Sequence, residues 1–195
     1  MSFLFSWMYD VLAYFGLYYK DAKVLFLGLD GAGKTTLLRL LKTGKVGAFD
    51  PTIYAGKEEL VHGSLKIEAH DLGGHVGVRR VWKDYFHEVD GVVFIVDAAD
   101  RGRFPEARGV LEELLSNERM ASVPFLILGN KIDRPEACPE GELRTALNII
   151  ETTGKDASST LSSGVRPLEL FMCSLTSRMG YDKGIEWLST FLKSA

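Results

Sequence analysis

A short glycine-rich segment near the start of the chain has the residue types that bind phosphate. Residues 28–35 read GLDGAGKT and fit the pattern G-x-x-x-x-G-K-[ST]. The glycines would let backbone N–H groups close around a phosphate, Lys34 would neutralise the β- and γ-phosphates, and Thr35 would offer its hydroxyl to Mg²⁺. A chance match in a chain of this length has a probability of about 1%. The segment therefore predicts a nucleotide site, with contacts from Asp30, Gly31, Ala32, Gly33, Lys34, Thr35 and Thr36.

A second motif, Asp71-Leu72-Gly73-Gly74-His75, follows the segment LKIEAHD. The carboxylate of Asp71 could hold Mg²⁺ through a water molecule, and the N–H of Gly74 could contact a γ-phosphate. By itself, an acid followed by two glycines is a common turn at the end of a strand. Its place in the chain, after the phosphate loop and one strand later, favours a role in nucleotide binding.

A third motif, Asn130-Lys131-Ile132-Asp133, ends the apolar run PFLILGN. The carboxylate of Asp133 can accept hydrogen bonds from both N1–H and the exocyclic N2 amino group of guanine, whereas adenine has no matching pair of donors. By itself the tetrapeptide could be a helix-capping turn. Three motifs in this order, each at the carboxyl end of a predicted strand, predict a site for GTP rather than ATP.

The rest of the chain alternates strands and helices that would bring these motifs together. Its 195 residues predict one domain that can bury a full α/β core. The predicted elements are buried strands at 23–29, 91–97, 124–130 and 167–173, a hairpin turning at 62–64, a helix after the phosphate loop, helices near 79–88, 105–117 and 140–150, a polar surface loop at 152–164 and a C-terminal helix. This alternation predicts a mostly parallel sheet covered on both faces, with ligands beyond the carboxyl ends of its strands.

Composition excludes several other classes of protein. Hydrophobic residues make up 46% of the chain and charged residues 25%, which is ordinary for a globular protein. A protein that binds nucleic acid is normally basic, so the net charge of −3 argues against that function without excluding it. The two cysteines, Cys138 and Cys173, are far apart, which excludes a disulfide scaffold and a cysteine-rich zinc module and favours a reducing compartment.

The first 20 residues, MSFLFSWMYDVLAYFGLYYK, contain 8 aromatic residues and no Lys or Arg before Lys20. The lack of basic residues argues against a signal peptide, and Asp10 in the middle argues against a membrane-spanning helix. On a helix, the small and polar residues share one narrow stripe, which predicts an amphipathic helix lying in a membrane surface. The alternative is a terminal helix docked permanently on the core. Myristoylation is excluded because position 2 is Ser2 rather than glycine.

These motifs together resemble those of Sar-type small GTPases, in the Arf branch of the Ras superfamily. The similarity runs from Met1 to the C-terminal helix and includes GLDGAGKTT, DPT at 50–52, DLGGH, RRVW at 79–82, NKID and FMCS at 171–174. Residues 3–9, FLFSWMY, resemble the aromatic recruitment element of that type. The resemblance implies an α/β, Ras-like P-loop GTPase fold over residues 21–195, with a six-stranded mostly parallel sheet and helices on both faces. An N-terminal amphipathic helix over residues 1–20 would precede it.

The resemblance also implies roles for single residues. Thr52 would join the Mg²⁺ shell only with GTP, and His75, as the catalytic residue, would orient the attacking water. Ser174 and the backbone of Leu175 would support the guanine ring, and Lys131 would lie along the base and ribose. The implied metal ligands are Thr35, Thr52, Asp71 and Asp30, and the implied nucleotide contacts beyond the phosphate loop are Gly74, Asn130, Lys131, Asp133, Ser174 and Leu175.

The function that the resemblance implies is a GTP-dependent switch. It would bind and hydrolyse GTP with Mg²⁺, slowly without an activating protein, and would recruit coat protein complex II for transport from the endoplasmic reticulum to the Golgi. With GTP bound, its N-terminal helix would enter the cytosolic face of the endoplasmic reticulum membrane through Phe3, Leu4, Phe5, Trp7 and Met8. Its partners would be that membrane surface, an inner-coat activating subunit that supplies an arginine, and a guanine-nucleotide exchange factor, with no nucleic acid. The chain would cycle between this membrane and the cytosol, and would also reach the Golgi.

Three other functions stay open at this stage. A small-molecule kinase would need an arginine-rich lid, which the sequence lacks, and the NKID motif favours guanine. A nucleotide-binding scaffold with an inert His75 is compatible with the sequence. An Arf-like switch at another membrane is a further alternative, against which Ser2, the aromatic start and His75 all count.

Overall fold

The fold is built on one six-stranded sheet. The computed structural model describes residues 20–45, 56–62, 65–71, 82, 85–86, 89–156 and 165–192. The strands are β1 (Lys20–Gly28), β2 (Gly56–His62), β3 (Leu65–Asp71), β4 (Gly91–Asp97), β5 (Phe125–Asn130) and β6 (Leu168–Met172). Their order is β2-β3-β1-β4-β5-β6, and every neighbouring pair is parallel except β2 with β3. The predicted six-stranded, mostly parallel sheet is confirmed.

Helices cover both faces of this sheet, as predicted. The α-helices of the described residues are α1 (Lys34–Thr43), α2 (Phe104–Leu115), α3 (Glu140–Ala146) and α4 (Tyr181–Ser189), and short 3₁₀ turns form at Arg101–Arg103 and Glu118–Met120. Phe26 of β1 packs in one core with α1 and α4, whereas its neighbours Leu25 and Leu27 pack in the other core with α2 and α3. Burial on both faces explains why the central strands are continuous apolar runs rather than alternating ones.

The predicted hairpin is the antiparallel pair β2–β3. Its register runs from Gly56 opposite Asp71 to His62 opposite Leu65, and residues 63 and 64 between the strands lie outside the described residues. Strand β3 also pairs in parallel with β1, which places the backbone of Asp71 beside Phe26. Asp71, where the second motif begins, therefore lies beside a residue of β1 that is two positions before Gly28, the start of the phosphate loop.

Two predicted boundaries are wrong. Strand β1 begins at Lys20, inside the segment predicted as an N-terminal helix, because Lys20 pairs with Leu65 of β3. Helix α3 ends at Ala146 rather than continuing to residue 150. Asn148 has a left-handed backbone with φ 58°, and the N–H of Ile149 returns to the carbonyl of Arg144 at 3.0 Å. This closure buries Ile149, which is 3% exposed, so a tertiary contact ends the helix early.

The start of the predicted surface loop at 152–164 is held against the sheet instead. The N–H of Thr153 donates to the carbonyl of Leu168 at 2.9 Å, and the N–H of Gly154 donates to the buried carboxylate of Glu169 at 2.8 Å. The indole N–H of Trp187 on α4 donates to the carbonyl of Gly154 at 3.0 Å. The polar composition of this segment predicted a loop exposed to solvent, but residues of β6 and α4 form hydrogen bonds with its backbone. Residues 157–164 lie outside the described residues.

Some predictions fall where the structure gives no description. The helix at residues 1–19 and most of the helix near 79–88 lie outside the described residues. The division of the chain into an N-terminal membrane-binding helix and a GTPase domain therefore stays a prediction, although Lys20 belongs to β1 rather than to the predicted helix. Among the described residues, none of the helices has the length and apolar character needed to cross a bilayer.

Gly28, where β1 meets the phosphate loop, is expected to be the least replaceable glycine of the sheet. Its φ is 135°, and a Cβ built on it would lie 2.2 Å from the carbonyl oxygen of Ile95 on β4. We expect Gly28→Ala to lower the free energy of unfolding by about 2–5 kcal/mol, since backbone strain and a backbone clash add. Urea unfolding of the nucleotide-free protein measures this without a contribution from ligand binding.

The matched control for Gly28 is Gly109, in the middle of α2. A Cβ there would meet no heavy atom within 4 Å. Gly109→Ala should raise the free energy of unfolding by about 0.5–1 kcal/mol, because alanine loses less conformational freedom than glycine in a helix. Equal stability of the two variants would contradict the proposed clash at Gly28.

Candidate nucleotide-binding site

The phosphate loop and the NKID motif meet at the carboxyl edge of the sheet, and Asp71, the first residue of the second motif, ends β3 at the same edge. Strand β1 leads into the loop at 28–33, and β5, two places along, leads into residues 130–133. Gly33, with φ 115°, precedes the first turn of α1 and, as a glycine, has no side chain of its own to cap the backbone N–H groups. An uncapped helix start presents N–H donors and the positive end of the helix dipole, which is the general arrangement for holding a phosphate.

Lys34 lies inside the loop rather than in solvent. It is 5% exposed, and its ammonium donates to the carbonyls of Gly28 and Leu29 at 3.1 and 2.8 Å. A buried ammonium is stable only where oxygen atoms surround it. The loop therefore concentrates one positive charge at the place predicted for the β- and γ-phosphates. Thr35 and Thr36 follow in the first turn of α1 and are half-buried.

Asn130 joins the phosphate loop to the turn after β6. Its side-chain amide donates to the carbonyl of Ala32 at 2.8 Å, and its side-chain oxygen accepts from the N–H of Leu175 at 3.2 Å. Asn130 is 3% exposed, so both partners are fixed in a buried network. Burial and the nearby charge of Asp133 raise the pKa of Cys173 to about 12, so this thiol stays neutral beside the Asn130 oxygen.

Two residues that the resemblance assigns to the base, Asp133 and Ser174, lie together in the structure. Ser174 is fully buried, and its hydroxyl donates to Oδ1 of the exposed Asp133 at 2.5 Å. The same Ser174 oxygen accepts from the N–H of Ser177 at 2.9 Å. Ser174 thus fixes the direction of the Asp133 carboxylate. This arrangement is suited to accepting the two adjacent donors of guanine.

Lys131 has a charged partner that the sequence reasoning missed. Its backbone is left-handed, with φ 70°, and its ammonium lies 2.5 Å from Oδ2 of Asp97. Asp97 is the last residue of β4, in register with Asn130 on β5. The available signal was the acid that ends the apolar run GVVFIVD, which is the usual position of a ligand-facing residue in such sheets.

Asp30 also has a partner that was not predicted. Its carboxylate accepts from Arg103, which precedes helix α2, at 2.8 Å. The hydrogen bond and charge of Arg103 hold the pKa of Asp30 below its ordinary value. A cavity of about 270 Å³ lies between the loop, the end of β4 and the start of α2, and both residues line it. The contact from Asp30 to a metal stays a prediction.

The donor types at this edge suit Mg²⁺, which prefers hard oxygen ligands. Thr35 brings a hydroxyl to the start of α1, and Asp71 ends β3 beside β1. Thr52, Gly74 and His75 lie outside the described residues, as do the predicted membrane contacts Phe3, Leu4, Phe5, Trp7 and Met8. Within the part of the chain that the structure describes, no group of three His, Cys, Asp or Glu residues could hold a metal ion.

Residues 8–192 match the ADP-ribosylation factor family. The chain belongs to this family. It is 45% identical to Small COPII coat GTPase SAR1 of Nicotiana tabacum over 98% of this chain and 100% of the relative. It is 42% identical to Small COPII coat GTPase SAR1 of Giardia intestinalis over 96% of this chain and 98% of the relative. The resemblance to Sar-type GTPases within the ADP-ribosylation factor family is thereby confirmed.

A solved structure supports the same assignment. The Arl6 BBS3 small GTPase from Trypanosoma brucei, with the bound nucleotide analogue GppNp, matches with a TM-score of 0.73 and 26% identity. The match covers 87% of this chain and 95% of that chain. The fold is that of a Ras-like small GTPase. As a member of the ADP-ribosylation factor family the chain hydrolyses GTP to GDP and phosphate, which excludes the kinase and the inert scaffold.

Proposed function

We propose that this small GTPase is the switch that starts assembly of coat protein complex II on the endoplasmic reticulum membrane. The observation that carries the proposal is the 45% identity, over 98% of the chain, to a relative named Small COPII coat GTPase SAR1. The site geometry is compatible with it, because the loop around Lys34 and the pair Asp133–Ser174 lie at one edge of the sheet. The chain would act at the cytosolic face of that membrane, cycle with the cytosol and serve transport to the Golgi.

The nucleotide would lie with its phosphates in the loop at 28–35 and its base against Asp133. Lys34 would turn from the loop carbonyls toward the β- and γ-phosphates, and the N–H groups at the start of α1 would bind phosphate oxygens. Asp133 would accept from guanine, with Ser174 holding its carboxylate and Leu175 supporting the ring. Lys131 would lie along the base and ribose, with Asp97 as its counter-charge.

Mg²⁺, when bound, would neutralise charge shared by the β- and γ-phosphates. Thr35, Thr52 and Asp71 would hold it, directly or through water. Asp30 is left out of this set because its carboxylate pairs with Arg103. The N–H of Gly74 would contact the γ-phosphate, so that GTP orders the segments carrying Thr52 and Gly74 whereas GDP does not.

His75 would orient the water that attacks the γ-phosphate. Phosphoryl transfer depends mainly on positioning and on charge stabilisation, so a histidine can serve without acting as a strong base. An inner-coat activating subunit would supply an arginine in trans, so the chain alone would hydrolyse GTP slowly. An exchange factor in the endoplasmic reticulum membrane would load GTP.

The membrane step would use the aromatic N-terminal segment. Phe3, Leu4, Phe5, Trp7 and Met8 would enter the cytosolic leaflet once GTP is bound. Because this segment carries no Lys or Arg before Lys20, its attachment would depend on apolar burial rather than on attraction to anionic lipid. Salt should therefore affect the attachment only weakly.

Liposome flotation of the full chain tests the proposal. With a non-hydrolysable GTP analogue and Mg²⁺, most of the wild-type chain should float with neutral liposomes, and little should float with GDP. The triple variant Phe3→Ser, Phe5→Ser, Trp7→Ser should lose most of the GTP-dependent flotation, since each aromatic side chain contributes about 1.5–3 kcal/mol on burial.

The control variant removes three exposed apolar side chains elsewhere on the chain. Ile150, Val165 and Met179 are 73%, 56% and 53% exposed, and their replacement by serine should leave flotation unchanged. Flotation that is equal with GDP and with the GTP analogue would contradict the switch. If the GTP-bound chain does not recruit the inner coat to the same liposomes, the result would contradict a role in coat protein complex II and favour a switch at another membrane.

A further inference from the structure

Arg103, directly before helix α2, forms two hydrogen bonds with a residue of the phosphate loop. Its Nη2 donates to Oδ1 of Asp30 at 2.8 Å, and its Nη1 donates to the backbone oxygen of Asp30 at 3.0 Å. Both terminal nitrogens of the guanidinium therefore bind one residue of the loop at 28–35. A two-point contact from a planar group fixes the direction of the carboxylate as well as its distance.

The position of Arg103 is itself fixed by helix α2. Its Nε donates to the carboxylate of Glu106 at 2.9 Å, and its backbone N–H donates to the carbonyl of Asp100 at 3.1 Å. The next residue, Phe104, is 6% exposed and belongs to the core beneath α2. The guanidinium thus stands on a rigid element, and it directs the Asp30 carboxylate toward the start of that helix.

The charge of Asp30 is unfavourable for the function of the loop. A nucleotide brings several negative charges to residues 28–35, and an unpaired carboxylate there would repel them. The hydrogen bond from Arg103 lowers the pKa of Asp30, so this carboxylate is charged at neutral pH. Arg103 supplies a matching positive charge at hydrogen-bond distance.

We propose that Arg103 is a positioning residue of the nucleotide site, which neutralises Asp30 and turns its carboxylate toward α2. The proposal rests on the assignment of residues 28–35 as the phosphate site. Its consequence is specific, because the arginine matters only while Asp30 carries a negative charge. Removing that charge should make Arg103 dispensable for nucleotide binding.

The test compares nucleotide affinity among four variants of the full chain: Arg103→Gln, Asp30→Asn, the double variant and Arg108→Gln. Titration with a fluorescent GDP and a fluorescent non-hydrolysable GTP analogue, with Mg²⁺ and then with a chelator, gives each Kd. We expect Arg103→Gln to weaken binding about tenfold, from one uncompensated charge near the phosphates. The double variant should bind within about threefold of Asp30→Asn, because the arginine has no charge to neutralise once Asp30 is replaced.

Arg108→Gln is the matched control. Arg108 lies on helix α2, which begins directly after Arg103, and it forms an exposed ion pair with Glu112 at 2.8 Å, so its loss removes a comparable surface contact away from the loop. Its affinity should equal that of wild type. If Arg103→Gln lowers the unfolding temperature of the nucleotide-free protein, Arg103→Lys replaces it in the titrations. Lysine keeps the positive charge but cannot donate the two parallel hydrogen bonds of a guanidinium, so this variant should weaken nucleotide binding by about two- to fivefold.

Several outcomes would overturn the proposal. Equal Kd values for wild type and Arg103→Gln would remove Arg103 from the site. If the double variant binds nucleotide as weakly as Arg103→Gln, Arg103 acts by supporting the loop backbone rather than by neutralising Asp30. Weak binding by Asp30→Asn in Mg²⁺ but not in chelator would place Asp30 on the metal. A wild-type chain that binds neither nucleotide would instead overturn the phosphate-site assignment, which is a separate failure.

Discussion

Replacing Lys34 by methionine should lower the affinity for both GDP and GTP by about 3–5 kcal/mol, or roughly a hundred- to several-thousand-fold. Lys34 is 5% exposed and stands inside the loop, so its charge would meet the phosphates in a site that largely excludes water. A positive charge in such surroundings interacts far more strongly than one in solvent. Methionine keeps the unbranched length of the side chain while removing the ammonium.

Calorimetric titration of the nucleotide-free protein with GDP and with a GTP analogue measures this loss. Lys45→Met is the control, because Lys45 is exposed just after the end of α1. Thermal unfolding without nucleotide separates a loss of binding from a loss of structure, since the bonds from Lys34 to Gly28 and Leu29 also disappear. An affinity within threefold of wild type would contradict the phosphate-loop assignment.

Replacing Asp133 by asparagine should change the base that the protein binds. Guanine presents two adjacent donors to the carboxylate, and asparagine replaces one acceptor with a donor that opposes N1–H. A buried or partly buried donor facing another donor costs about 2–4 kcal/mol, so GTP affinity should fall roughly 30- to 1,000-fold. Xanthine carries a carbonyl in place of the exocyclic amino group, so the affinity for xanthosine triphosphate should rise.

Competition between GTP and xanthosine triphosphate for the same protein gives the preference directly. Asp182→Asn, on the exposed side of α4, is the charge-matched control and should keep the preference for GTP. Ser174→Ala should weaken GTP binding by a smaller factor, about fivefold, because it frees the carboxylate that Ser174 holds at 2.5 Å without removing it. An unchanged ratio in Asp133→Asn would show that Asp133 does not read the base.

Elements whose pattern is local in the chain were predicted correctly from the sequence. The sequence GLDGAGKT predicted a strand, a tight loop and a helix, and the structure has β1, the loop and α1 in that order. Continuous apolar runs predicted buried strands, since a strand between two layers of helices meets no water on either face. Ser174 and Asp133 are 41 positions apart, and it was the resemblance to Sar-type GTPases that placed both on one site, where the structure joins them by a hydrogen bond.

Contacts between distant segments were not predicted. Arg103 and Asp30 are 73 positions apart, and Lys131 and Asp97 are 34 apart. The chain has 23 Lys and Arg residues, and nothing in their spacing shows which of them faces which acid. Helix α3 likewise ended early at Ala146 because Ile149 is buried by the fold, against the local helical pattern.

The sequence by itself determined the chemistry of this protein. Glycines, one lysine, hydroxyl groups and one carboxylate at fixed spacings predict a phosphate loop and a guanine-binding residue, because four to eight consecutive residues set the local backbone and its donors. Only the tertiary structure decided which side chains hold those groups in place. Asn130 meets Ala32 across 98 positions, and Arg103 meets Asp30, because the order β1-β4-β5 brings their strands together. Ion pairs and hydrogen bonds act over a few ångströms, so they depend on distances that only the folded chain sets.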